Sequence, residues 1–191
     1  MRIIAGKFGG RKLTNCEKLK SLRPTTDKNR EALFNILQSA KFLKDLNFSL
    51  IDCKFLDLCC GTGAVGLEAI SRGAKKVFFV ENNRFHLDVL QKNIRLLKVE
   101  NQTKIIEKNV KNLDYLDEDF DIIFLDPPYD EDYQKIVENL LQKNFVNSKT
   151  LVVIEFESKK FKNFEDFFQK NFKIIDERIY GKSIFGFYQK L

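Results

Sequence analysis

Apolar positions along the chain follow two spacings, and the change from one to the other marks out the elements. From Asp27 onward they recur at helical spacing, with Leu33, Phe34, Ile36, Leu37 and Ala40 on one face. Thr26 or Asp27 is placed to cap that helix, after Arg23-Pro24. Residues 54–58 are a short apolar run, read as a buried strand that enters a glycine loop. Leu67, Ala69 and Ile70 continue as a helix that Gly73 stops. "KKVFFVE" (75–81) is a second strand, and residues 84–98 are helical, with Leu87, Leu90, Ile94 and Leu97 in one stripe. "KIIEKN" (104–109) and "FDIIFLD" (120–126) are a third and a fourth strand. Residues 131–144 are helical through Ile136, Val137, Leu140 and Leu141, and "TLVVIEFE" (150–157) is a fifth strand.

Strands alternating with amphipathic helices predict an α/β fold, a doubly wound and mostly parallel sheet covered on both faces. The last stretch breaks the rhythm. Two strand-like runs flank Gly181-Lys182, the signal of an antiparallel hairpin, which brings the sheet to seven strands. At the other end, Ile3, Ile4, Phe8 and Leu13 surround Gly9-Gly10, which predicts a small N-terminal β-hairpin over residues 1–22. Residues 23–191 form the main domain. No repeat and no low-complexity linker interrupts it.

Composition narrows the class. The chain has 191 residues, 43% of them apolar, enough for one packed domain. No apolar run approaches the roughly 18 residues of a membrane span, and the N-terminus has no signal-like apolar region. A cytoplasmic protein, monomeric by default, is the expectation. Cys16, Cys53, Cys59 and Cys60 lack paired metal-ligand spacing and His86 is the single histidine, so no metal site is expected. Buried thiols in a reducing compartment are the better reading.

Charge points to a partner. The net charge is +6, yet residues 1–30 alone hold nine Lys or Arg against Glu17 and Asp27. The basic excess therefore sits in the first sixth of the chain, on Arg2, Lys7, Arg11, Lys12 and Arg23 among others. A basic arm beside a neutral body suggests a polyanion, nucleic acid first. A solvated charged tail is the plainer alternative, but the arm's apolar residues argue for a folded hairpin.

The chemistry lies in two motifs. Gly61, Gly63 and Gly66 spell G-x-G-x-x-G between a strand and a helix, and Glu81 ends the next strand about 20 residues on. Both features suit NAD and suit S-adenosylmethionine equally, since the two share adenosine. Asp57 separates them. At the carboxyl end of the first strand its carboxylate would repel a pyrophosphate but attract an ammonium, unless it serves only as a turn or capping residue. The second motif is "DPPY", Asp126 to Tyr129, directly after the fourth strand. In such sheets ligands sit outside the carboxyl ends of the strands, so the two motifs face one crevice. An exocyclic amine on a base is a poor nucleophile because its lone pair is delocalised. The Asp126 carboxylate and the Pro127 carbonyl are placed to accept its two N–H groups and localise that pair. Tyr129 offers a face for the base to stack on, and the prolines stiffen the loop.

With these motifs, the chain resembles Rossmann-type S-adenosylmethionine-dependent methyltransferases, and more closely the bacterial 16S rRNA (guanine-N2)-methyltransferases of the RsmD type. The resemblance runs nearly end to end, through "MRIIAGKFGGRKL", "RPTTDKNREALFNIL", "LDLCCGTGAVGLEAISRGA", "VFFVENN", "DPPY" and "FGFYQ". It implies that Asp57, Gly61 and Gly63 form the cofactor loop, that Glu81 binds the ribose, and that Asn109, closing the third strand, reads the adenine. Asp126, Pro127 and Tyr129 become the amino-group site. Arg23, Thr25 and Thr26 would lie near the crevice mouth. The implied substrate is a guanine of 16S rRNA, within the 30S subunit or an assembly intermediate. Gly9, Lys28-Asn29 and Asn83 depart from the usual family residues, and Asp130, Glu131 and Asp132 crowd acids beside the DPPY loop.

Two rivals stand beside this reading. An adenine-N6 methyltransferase of DNA or RNA would use the same DPPY logic, although no separate module for reading DNA sequence is evident. A non-catalytic RNA-binding assembly factor would reuse the scaffold without needing Asp126. An NAD oxidoreductase has no use for DPPY.

Overall fold

The computed structural model describes residues 1–15, 26–114, 116–127, 132–157 and 165–191. One seven-stranded sheet organises them: β1 (Lys54–Leu58), β2 (Lys76–Glu81), β3 (Thr103–Glu107), β4 (Ile122–Leu125), β5 (Leu151–Glu157), β6 (Phe172–Tyr180) and β7 (Ser183–Lys190). Their order is β3-β2-β1-β4-β5-β7-β6. The first five run parallel, and β7 inserts antiparallel between β5 and β6. This is the doubly wound α/β sheet with a C-terminal antiparallel pair that the apolar pattern predicts. The strand order reverses between β1 and β4, which opens a crevice at their carboxyl ends.

The sheet is covered on both sides. Helices α1 (Asp27–Ser39), α2 (Lys41–Asp45), α3 (Ala64–Ser71) and α4 (Arg84–Leu97) bury Leu33, Phe34, Leu43, Leu67, Ile70 and Leu90 against Phe55, Phe79, Phe124 and Val153. On the opposite face α5 (Tyr133–Gln142) and α6 (Glu165–Asn171) bury Ile136, Val137, Leu140 and Phe168 against Leu56, Phe78, Ile123 and Ile154. Adjacent residues of each strand thus enter opposite cores, which is why the central strands read as unbroken apolar runs. Helix α1 starts where expected: the Thr26 hydroxyl accepts the Asn29 N–H at 3.1 Å. Two helices carry no clear sequence signal. Helix α2 is only five residues long, and α6 has few apolar positions to set a period.

Residues 1–13 form a small hairpin, but its turn is built on the short helical segment Gly6–Phe8 and Gly10 lies in the ladder, whereas the sequence places the turn at Gly9-Gly10. Residues 16–22 of the expected 1–22 span lie outside the described residues. Ile3 N–H donates to the Arg11 carbonyl and Gly10 N–H to the Ile3 carbonyl, each at 2.9 Å, and Arg2 bridges Lys12. The hairpin is fastened to the body. Ile3 and Leu13 join the core beside α3. The fully buried Glu68 accepts Ile4 N–H at 2.7 Å, Ala5 N–H at 3.0 Å and Arg72 Nε at 2.7 Å. Buried Arg30 donates to the Arg2 carbonyl and to Asp27, and its Nε lies 3.9 Å from Glu68. Asn93 of α4 closes the far end through Thr14, accepting its N–H at 2.8 Å and donating to its carbonyl at 3.2 Å.

Candidate active site

The crevice is built from strand ends. Asp57 pairs with Phe79 of β2 and Phe124 of β4, so Glu81 and Asp126 each lie two residues further toward the carboxyl edge. Phe55, Phe79 and Phe124 all face the α1–α3–α4 side. Period-two alternation therefore carries Asp57 and Glu81 to that same side, and Asp126 follows directly on the last residue of β4 at the same carboxyl edge.

The glycine loop turns sharply out of β1. Cys59 adopts φ +57°, a left-handed conformation rare for a residue with a side chain, and Gly61 follows at φ +55°. A Cβ placed on Gly61 would meet nothing within 4 Å, so this glycine faces open space, whereas one on Gly66 would strike the Phe79 ring at 2.4 Å. The first glycine leaves room for a ligand and the third seats α3 on the sheet.

Asp57 is buried, and its Oδ2 accepts the Gly66 N–H at 2.9 Å. It locks the strand to the first turn of α3, the turn role that spacing alone left open. Burial, opposed by the Gly66 hydrogen bond and aided by the charge of Glu81, raises its pKa from 3.8 to about 7. Glu81 moves the other way. Burial acts to raise its pKa, but the His86 ring, the N–H groups of Asn83 and Gly61 and the His86 charge together hold it below the ordinary value. Its Oε1 accepts Asn82 N–H at 2.9 Å and Asn83 N–H at 2.8 Å. Its Oε2 accepts Gly61 N–H at 2.9 Å and stands 3.4 Å from His86 Nδ1. The Cys60 thiol is pushed well above its usual pKa, by burial first and then by Asp57 and Glu81, so it is held as a neutral thiol.

Asn109 does not close the third strand. Strand β3 ends at Glu107, and Asn109 caps the short helical turn Val110–Asn112 by accepting the Lys111 N–H at 2.9 Å. An Asn before a helical turn satisfies orphan N–H groups, and here that local demand ends the strand early.

At the end of β4, Asp126 is partly exposed and Pro127 is buried. The Tyr133 hydroxyl lies 3.5 Å from the Pro127 carbonyl and 3.3 Å from the Glu155 carbonyl, bracing the loop against β5. Tyr133 itself is buried and stacks on Phe156, with ring centroids 5.2 Å apart. Tyr129, Thr25 and Arg23 lie outside the described residues, as do Asp130 and Glu131. Asp132 caps α5 through the Lys135 N–H at 3.2 Å. The basic positions Arg2, Lys7, Arg11 and Lys12 are all exposed on the hairpin. Arg11 also donates to the Leu96 carbonyl at 3.3 Å, and Arg2 stands 4.0 Å from Asp27.

Four neighbours of the site belong to neither motif: His86, Tyr133, Asn29 and Glu155. Tyr133 falls on the apolar stripe of α5, where an aromatic reads as core. Glu155 had a visible signal, a carboxylate at an inward position of a buried strand.

The described helices include none long and apolar enough to cross a membrane. The family described as "Conserved hypothetical protein 95" matches residues 1–189. A curated relative, the ribosomal RNA small subunit methyltransferase D of Haemophilus influenzae, is 35% identical over 84% of this chain and 80% of its own length. Its namesake in Escherichia coli K12 is 31% identical over all of this chain and 90% of that one. Among solved structures, the Escherichia coli protein yhhF superposes with a TM-score of 0.80 at 28% identity, covering 100% of this chain and 97% of that one. By sequence and fold together, the chain belongs to the conserved hypothetical protein 95 family and is a methyltransferase of the RsmD type.

Proposed function

We propose that the protein transfers a methyl group from S-adenosylmethionine to the exocyclic N2 amine of a guanine in 16S rRNA. The observation that carries this reading is that Gly61, Glu81 and Asp126-Pro127 all lie at the carboxyl ends of the adjacent strands β1, β2 and β4, at the switch point of the sheet. The curated relatives are named for rRNA of the small subunit, which supports the substrate class.

The donor set fits S-adenosylmethionine. Two buried carboxylates, Asp57 and Glu81, flank an open glycine, an environment suited to a cationic ligand and hostile to a pyrophosphate. Gly61 would let the cofactor approach the backbone, and Gly63, whose φ of +79° and close approach to Leu90 exclude a side chain, would shape the loop that holds it. Glu81 would hold the ribose hydroxyls, and Asp57 would face the ammonium. Asn109, on its helical turn, would border the adenine. When bound, this group supplies a methyl on sulfonium, an electrophile whose leaving group is a neutral thioether.

The chain's own residues act on the base. The Asp126 carboxylate and the Pro127 carbonyl accept the two N–H groups of the amine, hold it in place and bring its lone pair forward. Asp126 takes the proton that nitrogen sheds as its new bond to carbon forms. Tyr129 stacks on the base, which must leave its helix to reach the site. Arg2, Lys7, Arg11, Lys12 and Arg23 contact phosphate, while RNA shape supplies choice. The working substrate is the 30S particle or an assembly intermediate, met by a cytoplasmic monomer.

The test is methyl transfer from labelled S-adenosylmethionine to undermethylated 30S particles, followed by nucleoside mass analysis. Label in N2-methylguanosine is the expected outcome. Label in N6-methyladenosine moves the protein to the adenine-directed rival, and no label despite cofactor binding points to a non-catalytic assembly role.

A further inference from the structure

The neighbour of Asp126 across the sheet is a second carboxylate, and it is buried. Leu125, the last residue of β4, pairs with Ile154 of β5, so Asp126 and Glu155 are the next residues along from that pair. Val153 packs on the α1–α3–α4 side and Ile154 and Phe156 on the other, which directs Glu155 to the α1–α3–α4 side, at the carboxyl edge where Asp126 follows β4. Glu155 is only 7% exposed in a strand whose other core positions are apolar. It is also held in place. Asn29 of α1 donates from Nδ2 to Glu155 Oε1 at 3.3 Å and to Ser183 Oγ at 3.1 Å. The Tyr133 hydroxyl ties the Glu155 and Pro127 backbones together. A carboxylate kept at this depth is costly to desolvate, and a role toward a ligand at the crevice gives that cost a reason.

We propose that Glu155 selects the base, by accepting the ring N1–H of a guanine whose N2 amine lies on Asp126 and Pro127. This rests on the methyl-transfer reading of the site. On its Watson–Crick edge guanine carries two adjacent donors, N1–H and the N2 amine. Adenine presents one donor and, beside it, an unprotonated ring nitrogen. Two neighbouring carboxylates match the donor pair of guanine and oppose the lone pair of adenine's N1. The same geometry rejects 2-aminopurine, which keeps the 2-amine and lacks N1–H. Glu155 is thus a specificity residue that touches the base while staying apart from the reacting nitrogen. A site built around a substrate N–H discriminates strongly against analogues that lack it.

The experiment uses small-subunit particles reconstituted with rRNA carrying either guanine or 2-aminopurine at the methylated position. Wild type and Glu155→Gln are compared by nucleoside mass analysis. Wild type is expected to favour guanine by roughly 100-fold or more. Gln offers both an acceptor and a donor, so E155Q is expected to lose about 10-fold or more on guanine and to narrow the ratio to within about 10-fold. An unchanged ratio in E155Q overturns the proposal. So does a wild type that methylates 2-aminopurine as fast as guanine, a result that needs no variant to fold. A wild type that forms no N2-methylguanosine overturns the methyl-transfer reading, and the base-selection proposal with it, and is distinct from both.

Discussion

The carboxylate of Glu81 accepts the backbone N–H of Gly61 at 2.9 Å, tying the end of β2 to the first glycine of the loop. Two further backbone N–H groups and His86 hold the same side chain. The acid is therefore preorganised before any ligand arrives, and removing it loosens the loop as well as the ribose contact. Glu81→Ala is expected to weaken S-adenosylmethionine binding by roughly 10- to 100-fold, the range for hydrogen bonds to a charged group. Isothermal titration calorimetry measures it. Affinity within about twofold of wild type would remove Glu81 from the cofactor site.

Asp57 makes both stability and cofactor affinity depend on pH. Its carboxyl titrates near 3.8 when unfolded and near 7 when folded. Between those values the folded chain keeps a proton that the unfolded chain has lost, so this group's contribution to stability falls as pH rises and levels off above about 7. Asp57→Asn retains an acceptor for the Gly66 N–H and cannot ionise. It is expected to be more stable than wild type at pH 8 by on the order of a few kcal/mol, with little difference at pH 4. Ligand affinity runs oppositely: wild type binds the cationic cofactor more tightly at pH 8 than at pH 6, and D57N loses that dependence. Urea titrations and calorimetry across this window check both.

Asp126 and Tyr133 separate chemistry from positioning. Asp126→Ala is expected to lower the methyl-transfer rate by roughly 100- to 1000-fold with cofactor affinity intact. Tyr133→Phe keeps the stacking on Phe156 and deletes the hydroxyl shared by the Pro127 and Glu155 carbonyls. A drop of about 1 kcal/mol in stability is expected, with a fall in kcat larger than any change in KM. Single-turnover rates and chemical denaturation distinguish the two. An unchanged rate in D126A sinks the amino-group role.

The hairpin is a fastened tool. Glu68→Ala leaves Arg30 and Arg72 without their shared carboxylate, and breaking a buried pair in this way costs roughly 3–5 kcal/mol. The melting temperature is expected to fall, with protease cutting appearing first within residues 1–15. Charge reversal at Lys7 and Lys12 leaves the fold intact and is expected to weaken RNA binding. The slope of affinity against salt then shrinks by about one for each phosphate no longer neutralised, as titrations at several ionic strengths measure.

Local spacing was enough to write down most of the elements. Short apolar runs mark β1 through β5 and a period of 3.6 residues marks α1, α4 and α5, because each signal lies within one local window. The placement of Gly61, Glu81 and Asp126 at strand ends was legible for the same reason: each follows or closes an apolar run within a few residues. The end of β3 was not, because the side-chain carbonyl of Asn109 competes for local N–H groups and turns the chain two residues early. Nor were α2 and α6, which are too short to show a period. Partners distant in sequence were decided by the tertiary structure alone. Glu68 is an ordinary helix residue until the N–H groups of Ile4 and Ala5 and the guanidinium of Arg72 converge on it. Glu155 is an odd acid in an apolar strand until the pairing of β4 with β5 sets it beside Asp126 and Asn29 arrives from 126 positions away. Periodicity is a property of neighbours along the chain, whereas strand order and register are set by hydrogen bonds and burial between segments that no local window contains.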